Sequence, residues 1–268
     1  MKTKHIIMPI LAACGILCSQ FEVTAESVTP APEKQRRPGE DLYQLGMDYM
    51  EGVGEIQDQA KACEYFLKAA ELGHDCACYN LGMCHTLARG VPQDYTKANE
   101  FLRKAGELGM SMGYVMLGRN LDEGHGVPEK SPETACEYYL KAGQLGAGGG
   151  YLMLGHHYDD GLGVPKDYAK ARECYLKAGE LGIGRGFNNV GLHFVQGRGT
   201  ARDYTKANQC FLKAAELGDA DGYYHLGVSF ENGYGVAKNP AKANECFQKA
   251  RQIRAANRTP NAANQGQQ

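Results

Sequence analysis

Residues 161–182 read GLGVPKDYAKARECYLKAGELG, and the chain writes that phrase again and again. Residues 124–146 (GHGVPEKSPETACEYYLKAGQLG), 197–218 (GRGTARDYTKANQCFLKAAELG) and 233–250 (GYGVAKNPAKANECFQKA) are close copies; residues 52–73 and 89–109 are looser ones. A Leu-Gly pair leads each unit. Its first residues, Leu45, Leu81, Leu117, Leu154, Val190 and Leu226, stand 36, 36, 37, 36 and 36 residues apart, with the extra residue near Ser131-Pro132. Six units at one spacing dictate a stack of supersecondary units, because a repeat of this length cannot bury its apolar face alone. A single central core is thereby excluded, since each unit packs only on its neighbours.

Each unit predicts two helices. The first carries the Leu-Gly pair, and residues three before and four after the Leu share its face: Tyr114, Tyr151, Phe187 and Tyr223 on one side, Tyr49, Tyr158, Phe194 and Phe230 on the other. The Gly after the Leu lets the partner helix approach. The Gly-x-Gly turn then ends the helix through a positive φ, and Pro92, Pro128 and Pro165 block continuation. The second helix starts behind Asp94, Asp167 or Asp203, each placed to cap a first turn. Its predicted apolar stripe runs through Ala171, Cys174, Tyr175, Ala178 and Leu181. Short turns make neighbours antiparallel. The expected fold is therefore all-α, a right-handed solenoid of about six helix–turn–helix repeats.

The pattern Leu-Gly-x-x-Tyr, Gly-x-Gly-Val-Pro, Lys-Ala-x-x-x-x-x-Lys-Ala, Glu-Leu-Gly resembles the Sel1-like repeat, a relative of the 34-residue tetratricopeptide repeat. The resemblance covers roughly residues 41–250. It implies a binding scaffold for a protein or peptide, with the first helix of each hairpin lining a concave groove. Counting from each Leu-Gly, Tyr43, Tyr79, Asn188 and Tyr224 are expected in one row facing that groove, Met47, Met83, Arg119 and His156 in the next, and Asp122 and Asp159 in a third. Tyr and Met suit binding, because they offer large area and adaptable packing. The alternative is that these residues are only the exposed face of ordinary helices.

Outside the repeats, residues 1–25 read as an export signal: Lys2 and Lys4, an apolar run over residues 6–18 too short to span a bilayer, and a small residue, Ala25, before the cut. A rival reading takes Leu11-Ala-Ala-Cys14 as a lipobox with a lipid anchor at Cys14. Residues 26–40 are rich in Pro and charge and read as a flexible linker, residues 41–254 as the repeat domain, and residues 255–268 as a disordered tail. Asn257-Arg258-Thr259 fits a glycosylation acceptor only by chance in a bacterial-looking chain. A periplasmic or secreted monomer is expected. The formal charge of −2 leaves no basic footprint for nucleic acid, and no membrane span is expected.

Eight cysteines follow residue 25: Cys63, Cys76, Cys78, Cys84, Cys136, Cys174, Cys210 and Cys246. The last three share one column with Tyr65, Phe101 and Tyr138, so they are expected as core thiols in place of buried aromatics; stacked helices lie about 8–10 Å apart, beyond the roughly 7 Å that a disulfide spans. Cysteine-rich exported Sel1-like proteins staple helices with cysteines separated by seven residues. Here Cys78 fits the second position, but Ala70 stands at the first, and Gly106, Gly143, Gly179 and Ala215 stand there later. One bridge among Cys63, Cys76, Cys78 and Cys84 stays open, without a chosen pair. The run His74-Asp75-Cys76-Ala77-Cys78 with Cys84-His85 departs from zinc spacing and is read as core, with no metal or cofactor assigned.

The same relatives imply β-lactam binding or hydrolysis as the rival function. None of Ser27, Ser111, Ser131 and Ser229 is followed by the Lys that a serine β-lactamase requires three residues on, and no Lys-Thr-Gly or His-x-His-x-Asp occurs. His156, His157, Asp159 and Asp160 form the densest polar cluster, with His193 in the column of His157; these are expected as a solvated helix face, and Lys97, Lys170, Lys206 and Lys242 are expected in solvent.

Overall fold

The computed structural model describes residues 37–54 and 56–257. The expected export signal, the Cys14 lipobox, most of the linker, Arg258-Thr259 and most of the tail lie outside them. Twelve helices and no strands occur among the described residues: α1 (Glu40–Glu51), α2 (Gln59–Glu71), α3 (Asp75–Leu87), α4 (Tyr95–Glu107), α5 (Ser111–Glu123), α6 (Pro132–Gln144), α7 (Gly148–Asp160), α8 (Tyr168–Glu180), α9 (Gly184–Gln196), α10 (Tyr204–Glu216), α11 (Ala220–Asn232) and α12 (Pro240–Ala256). Odd helices are the first of each hairpin and even helices the second. Each packs mainly on its predecessor and its successor, the nearest-neighbour contact pattern of an all-α solenoid.

Local chemistry sets the boundaries. Asp58, Asp94, Asp167, Asp203 and Asn239 each accept a backbone N–H in the first turn of a second helix, the expected caps among them. The exception is α6. Its Ser131 hydroxyl turns to Thr134 instead of the backbone, and Pro132, which lacks an N–H to leave unpaired, opens the helix. First helices end on a left-handed glycine, Gly161 at φ 77° for example, except α3, where Ala88 takes that geometry at φ 56°.

Packing explains the Leu-Gly pair. A Cβ on Gly155 would stand 2.5 Å from the Tyr175 ring, so only glycine lets α7 lie against α8. Fully buried alanines (Ala62, Ala98, Ala135, Ala171) and large residues (Phe66, Leu102, Tyr139, Tyr175, Phe211) form columns one repeat apart at the centre of each hairpin. The stripe of α8 ends earlier than expected. Ala171, Cys174, Tyr175 and Ala178 are buried, but Leu181 is 43% exposed, because it sits on the cap after the last turn.

Successive hairpins are tied by a ladder that the sequence does not advertise. One position on each second helix from α2 to α10 donates to a loop carbonyl of the next repeat: Asn99 Nδ2 to His125 O (2.8 Å), Asn208 Nδ2 to Tyr234 O (2.7 Å), and in the same place Cys63 Sγ to Arg89 O (3.2 Å), Cys136 Sγ to Leu162 O (3.6 Å) and Arg172 Nη1 to Arg198 O (3.4 Å). Each bond satisfies a loop carbonyl that the packing withdraws from water. The lysines expected in solvent have a second role. Lys170, Lys206 and Lys242, and Lys61 in the same column, hold their ammonium groups 5.2–5.8 Å from the ring centres of Tyr158, Phe194, Phe230 and Tyr49, charge outward and stem over the ring, while Lys97 stands 3.8 Å from Asp94.

First helices α5 and α7, and α9 and α11, touch across repeats. Two clefts open between second helices, α2 and α4 in one case and α6 and α8 in the other. We term the first-helix side the inner face.

Candidate functional site

The ten residues expected in the groove all stand on first helices, in three different situations. Arg119 and Tyr224 are exposed, the latter at 43%. Tyr43, Met47, Tyr79 and Met83 are half-buried and lean on the core edge, with Asn80 bridging Tyr43 and Met47 of the preceding repeat. Asn188 is buried at 5% exposure, a correction to its place in the first row: α9 turns it between neighbours.

His156, Asp122 and Asp159 are structural as well as inward-facing. The His156 ring meets the Tyr175 hydroxyl at 2.9 Å through Nδ1, not the adjacent Asp159, and burial holds its pKa below the ordinary imidazole value. Asp122 Oδ2 accepts from the Tyr139 hydroxyl (2.7 Å) and meets His157 Nε2 (2.9 Å) of the next repeat. Asp159 holds the same place one unit later, with Oδ1 3.2 Å from His193 Nε2, while its other oxygen takes Arg198 Nη1 at 3.0 Å. His157 and His193 are thus 3% and 2% exposed, where a solvated face was expected. The physical reason lies one repeat back: a carboxylate at the end of the preceding first helix lets each imidazole go inside.

The two pairs differ. Burial opposes the charge on His157, but its bonds to Asp122 and Cys136 outweigh it and push the pKa up to about 10. His193 lies 3.2 Å from Asp159 Oδ1 at an angle too poor to make a hydrogen bond, and both its nitrogens lack a well-formed partner. Burial then prevails and lowers its pKa. Beside it, between α7 and α9, opens a small cavity of about 80 Å³ lined by His156, Asp159, Asn189, Leu192, Gln196 and Arg198, with Tyr175 and His193 behind. Asn189 Nδ2, Asp159 Oδ1 and the His193 nitrogens reach it with hydrogen-bonding capacity unspent. Unpaired polar atoms in a concave site are what a ligand's polar group can satisfy.

All eight described cysteines are free thiols. Cys174 is buried; Cys210 and Cys246 are half-buried, and so are Tyr65, Phe101 and Tyr138 of their column, which is an outer edge and not a buried core. No bridge joins Cys63, Cys76, Cys78 or Cys84, and Cys63 Sγ instead donates to Arg89 O. His74, Asp75 and Cys76 bring three ligand-type atoms within 4.8 Å of one another. Those atoms are already committed: His74 Nδ1 accepts from Ala77 N as the cap of α3, its Nε2 meets Glu40 at 3.3 Å, and Asp75 takes Arg37. What sequence reasoning missed is Arg198, Asn189 and the pairing of His157. The signal available was two Asp residues and two His residues in register one repeat apart.

The Sel1 repeat family model matches six times, at residues 40–74, 77–110, 111–146, 150–183, 188–219 and 220–252. The chain belongs to the Sel1 repeat family. It is similar to a solved protective antigen present in uropathogenic Escherichia coli strains displaying an SLR fold, at 30% identity and TM-score 0.74 over 81% of this chain and 46% of that one. It thus spans about half of that protein. It is also similar to a Sel1 repeat protein from Oxalobacter formigenes, at 28% identity and TM-score 0.70 over 81% and 88% of the two chains. An immunity protein from Pseudomonas aeruginosa, at 18% identity and TM-score 0.51 over 82% and 83%, shares the fold. No curated protein matches the chain. Sel1 repeat proteins are generally protein–protein interaction scaffolds, and among the described residues no helix is long and apolar enough to cross a membrane.

Proposed function

We propose that the chain is an exported scaffold that binds a protein or an extended peptide along the inner face of its first helices. One observation carries the reading: the cavity of about 80 Å³ between α7 and α9, where buried Asn189, Asp159 and His193 atoms keep hydrogen-bonding capacity. A side chain or chain end of a partner would fill it, with Tyr79 and Tyr224 supplying apolar area on either side. Export rests on Lys2, Lys4, the apolar run over residues 6–18 and cleavage after Ala25.

The test is capture from a bacterial envelope extract by purified protein. Replacing Tyr79, Arg119 and His156 together by Ala should reduce recovery of the captured partner well over tenfold, the result of losing about 2 kcal/mol at a hot spot. Replacing the exposed Leu140 and Leu176 of the second helices by Ser should leave capture intact. The opposite pattern contradicts the groove. Mass analysis of protein expressed from the full gene tests export separately; a chain retaining residues 1–25 contradicts it.

A further inference from the structure

On the outer side of the array a different set of residues converges. Cys136 on α6 and Cys174 on α8 line the cleft of about 470 Å³ between those helices, together with Tyr151, Tyr158, Lys170 and Lys177. Behind Cys136 stands His157. Its Nδ1 lies 3.2 Å from Cys136 Sγ and 2.9 Å from Leu162 O, and its Nε2 lies 2.9 Å from Asp122 Oδ2. A ring that faces an oxygen acceptor at both nitrogens satisfies them only when both nitrogens carry protons, so His157 is an imidazolium. Asp122 is fixed in turn by the Tyr139 hydroxyl at 2.7 Å. The arrangement is a hydrogen-bonded Cys–His–Asp set on a cysteine that lines the cleft and is itself buried, at 5% exposure.

The fold does not require this chemistry. The same two places in the preceding repeat hold Asn99 and Asn120, which close the gap with a neutral 2.8 Å bond. Here a protonated imidazole stands against a thiol beside a cleft. A positive charge at that distance stabilises the negative sulfur that attacks an electrophile. The cleft also carries charge of both signs, Lys170 and Lys177 against Glu133, Glu137 and Glu173, which suits a zwitterionic ligand.

We propose that Cys136 is a nucleophilic thiol that takes a small zwitterionic peptide disulfide in this cleft, giving a mixed disulfide. The Cys136 sulfur attacks one sulfur of R–S–S–R. A Cys136–S–S–R bond forms, the donor S–S bond breaks, and the departing RS⁻ takes up the proton that the thiol gave up. No further oxidant is needed. This role is independent of partner binding on the inner face.

Cys174 is the internal control. It borders the same cleft but has no imidazole partner, and burial pushes its thiol up to about 11. The experiment treats the full chain with oxidised glutathione at neutral pH, quenches with acid and maps adducts by mass. The first adduct should fall on Cys136, about tenfold or more ahead of Cys174, and Cys136→Ser should abolish it. His157→Gln should slow the reaction about tenfold with the helical spectrum retained. Should that variant lose its fold, the order of Cys136 and Cys174 in the native chain decides. Reaction first at Cys174 or another cysteine, with Cys136 unmodified, overturns the proposal, as does an undiminished rate in a folded His157→Gln protein.

Discussion

His157 and His193 occupy the same place in consecutive repeats, yet the structure moves their pKa values in opposite directions. The difference comes from geometry one ångström at a time: His157 has an acceptor at each nitrogen, whereas His193 meets its carboxylate off-angle with Arg198 nearby. The consequence for stability has opposite signs. The folded pKa of His157 is raised from 6.5 to about 10, so its contribution is full below the unfolded value and is lost as pH rises toward 10. The pKa of His193 is lowered, so its contribution is present above 6.5 and is lost as pH falls below it. Imidazole NMR titration should find His157 still protonated at pH 8 to 9 and His193 titrating below the ordinary imidazole value. Replacing Asp122 by Ala should cost about 3–5 kcal/mol at neutral pH, because it strands a buried cation, and denaturant unfolding measures it. The sequence put both histidines in one column but read that column as solvated. The carboxylates that draw them inside belong to the previous repeat, and a helical wheel does not see across an interface.

Helix boundaries were the most legible feature, because each is written in local chemistry. The caps at Asp94, Asp167 and Asp203 and the glycine stop at Gly161 follow from residue type and position alone. Asp167 accepts from both Ala169 N and Lys170 N. Its replacement by Ala should lower stability by about 1 kcal/mol, read as a shift of the denaturation midpoint, whereas Ser should largely preserve it. Faces were less legible than ends. The period placed Leu181 in the stripe of α8, but the helix has stopped by then and the side chain emerges into solvent. Likewise Lys170 reads as a solvated charge, while its stem covers Tyr158. Periodicity assigns a direction only while the helix lasts, and it says nothing of what a long side chain lies on.

At the scale of the molecule, six hairpins share no common core. They are joined by the buried faces between consecutive helices, by the donor-to-carbonyl ladder of the second helices, and in the middle by the Asp–His pairs. That architecture was legible from a constant spacing, since a repeat that cannot bury its own face must stack. The inner site was legible only in part: Arg119 and Tyr224 are exposed where expected, Asn188 is buried, and Arg198 arrives from a loop that no helix periodicity describes. The central claim is that order in every hairpin is supplied by its neighbours. It is tested most directly by far-ultraviolet circular dichroism of a peptide of residues 149–184, which holds nearly all of α7 and α8 without the flanking repeats. Helices of about 13 residues are marginal alone in water, so the peptide should be largely unstructured while the full chain is strongly helical. A strongly helical spectrum from the isolated hairpin would contradict the account.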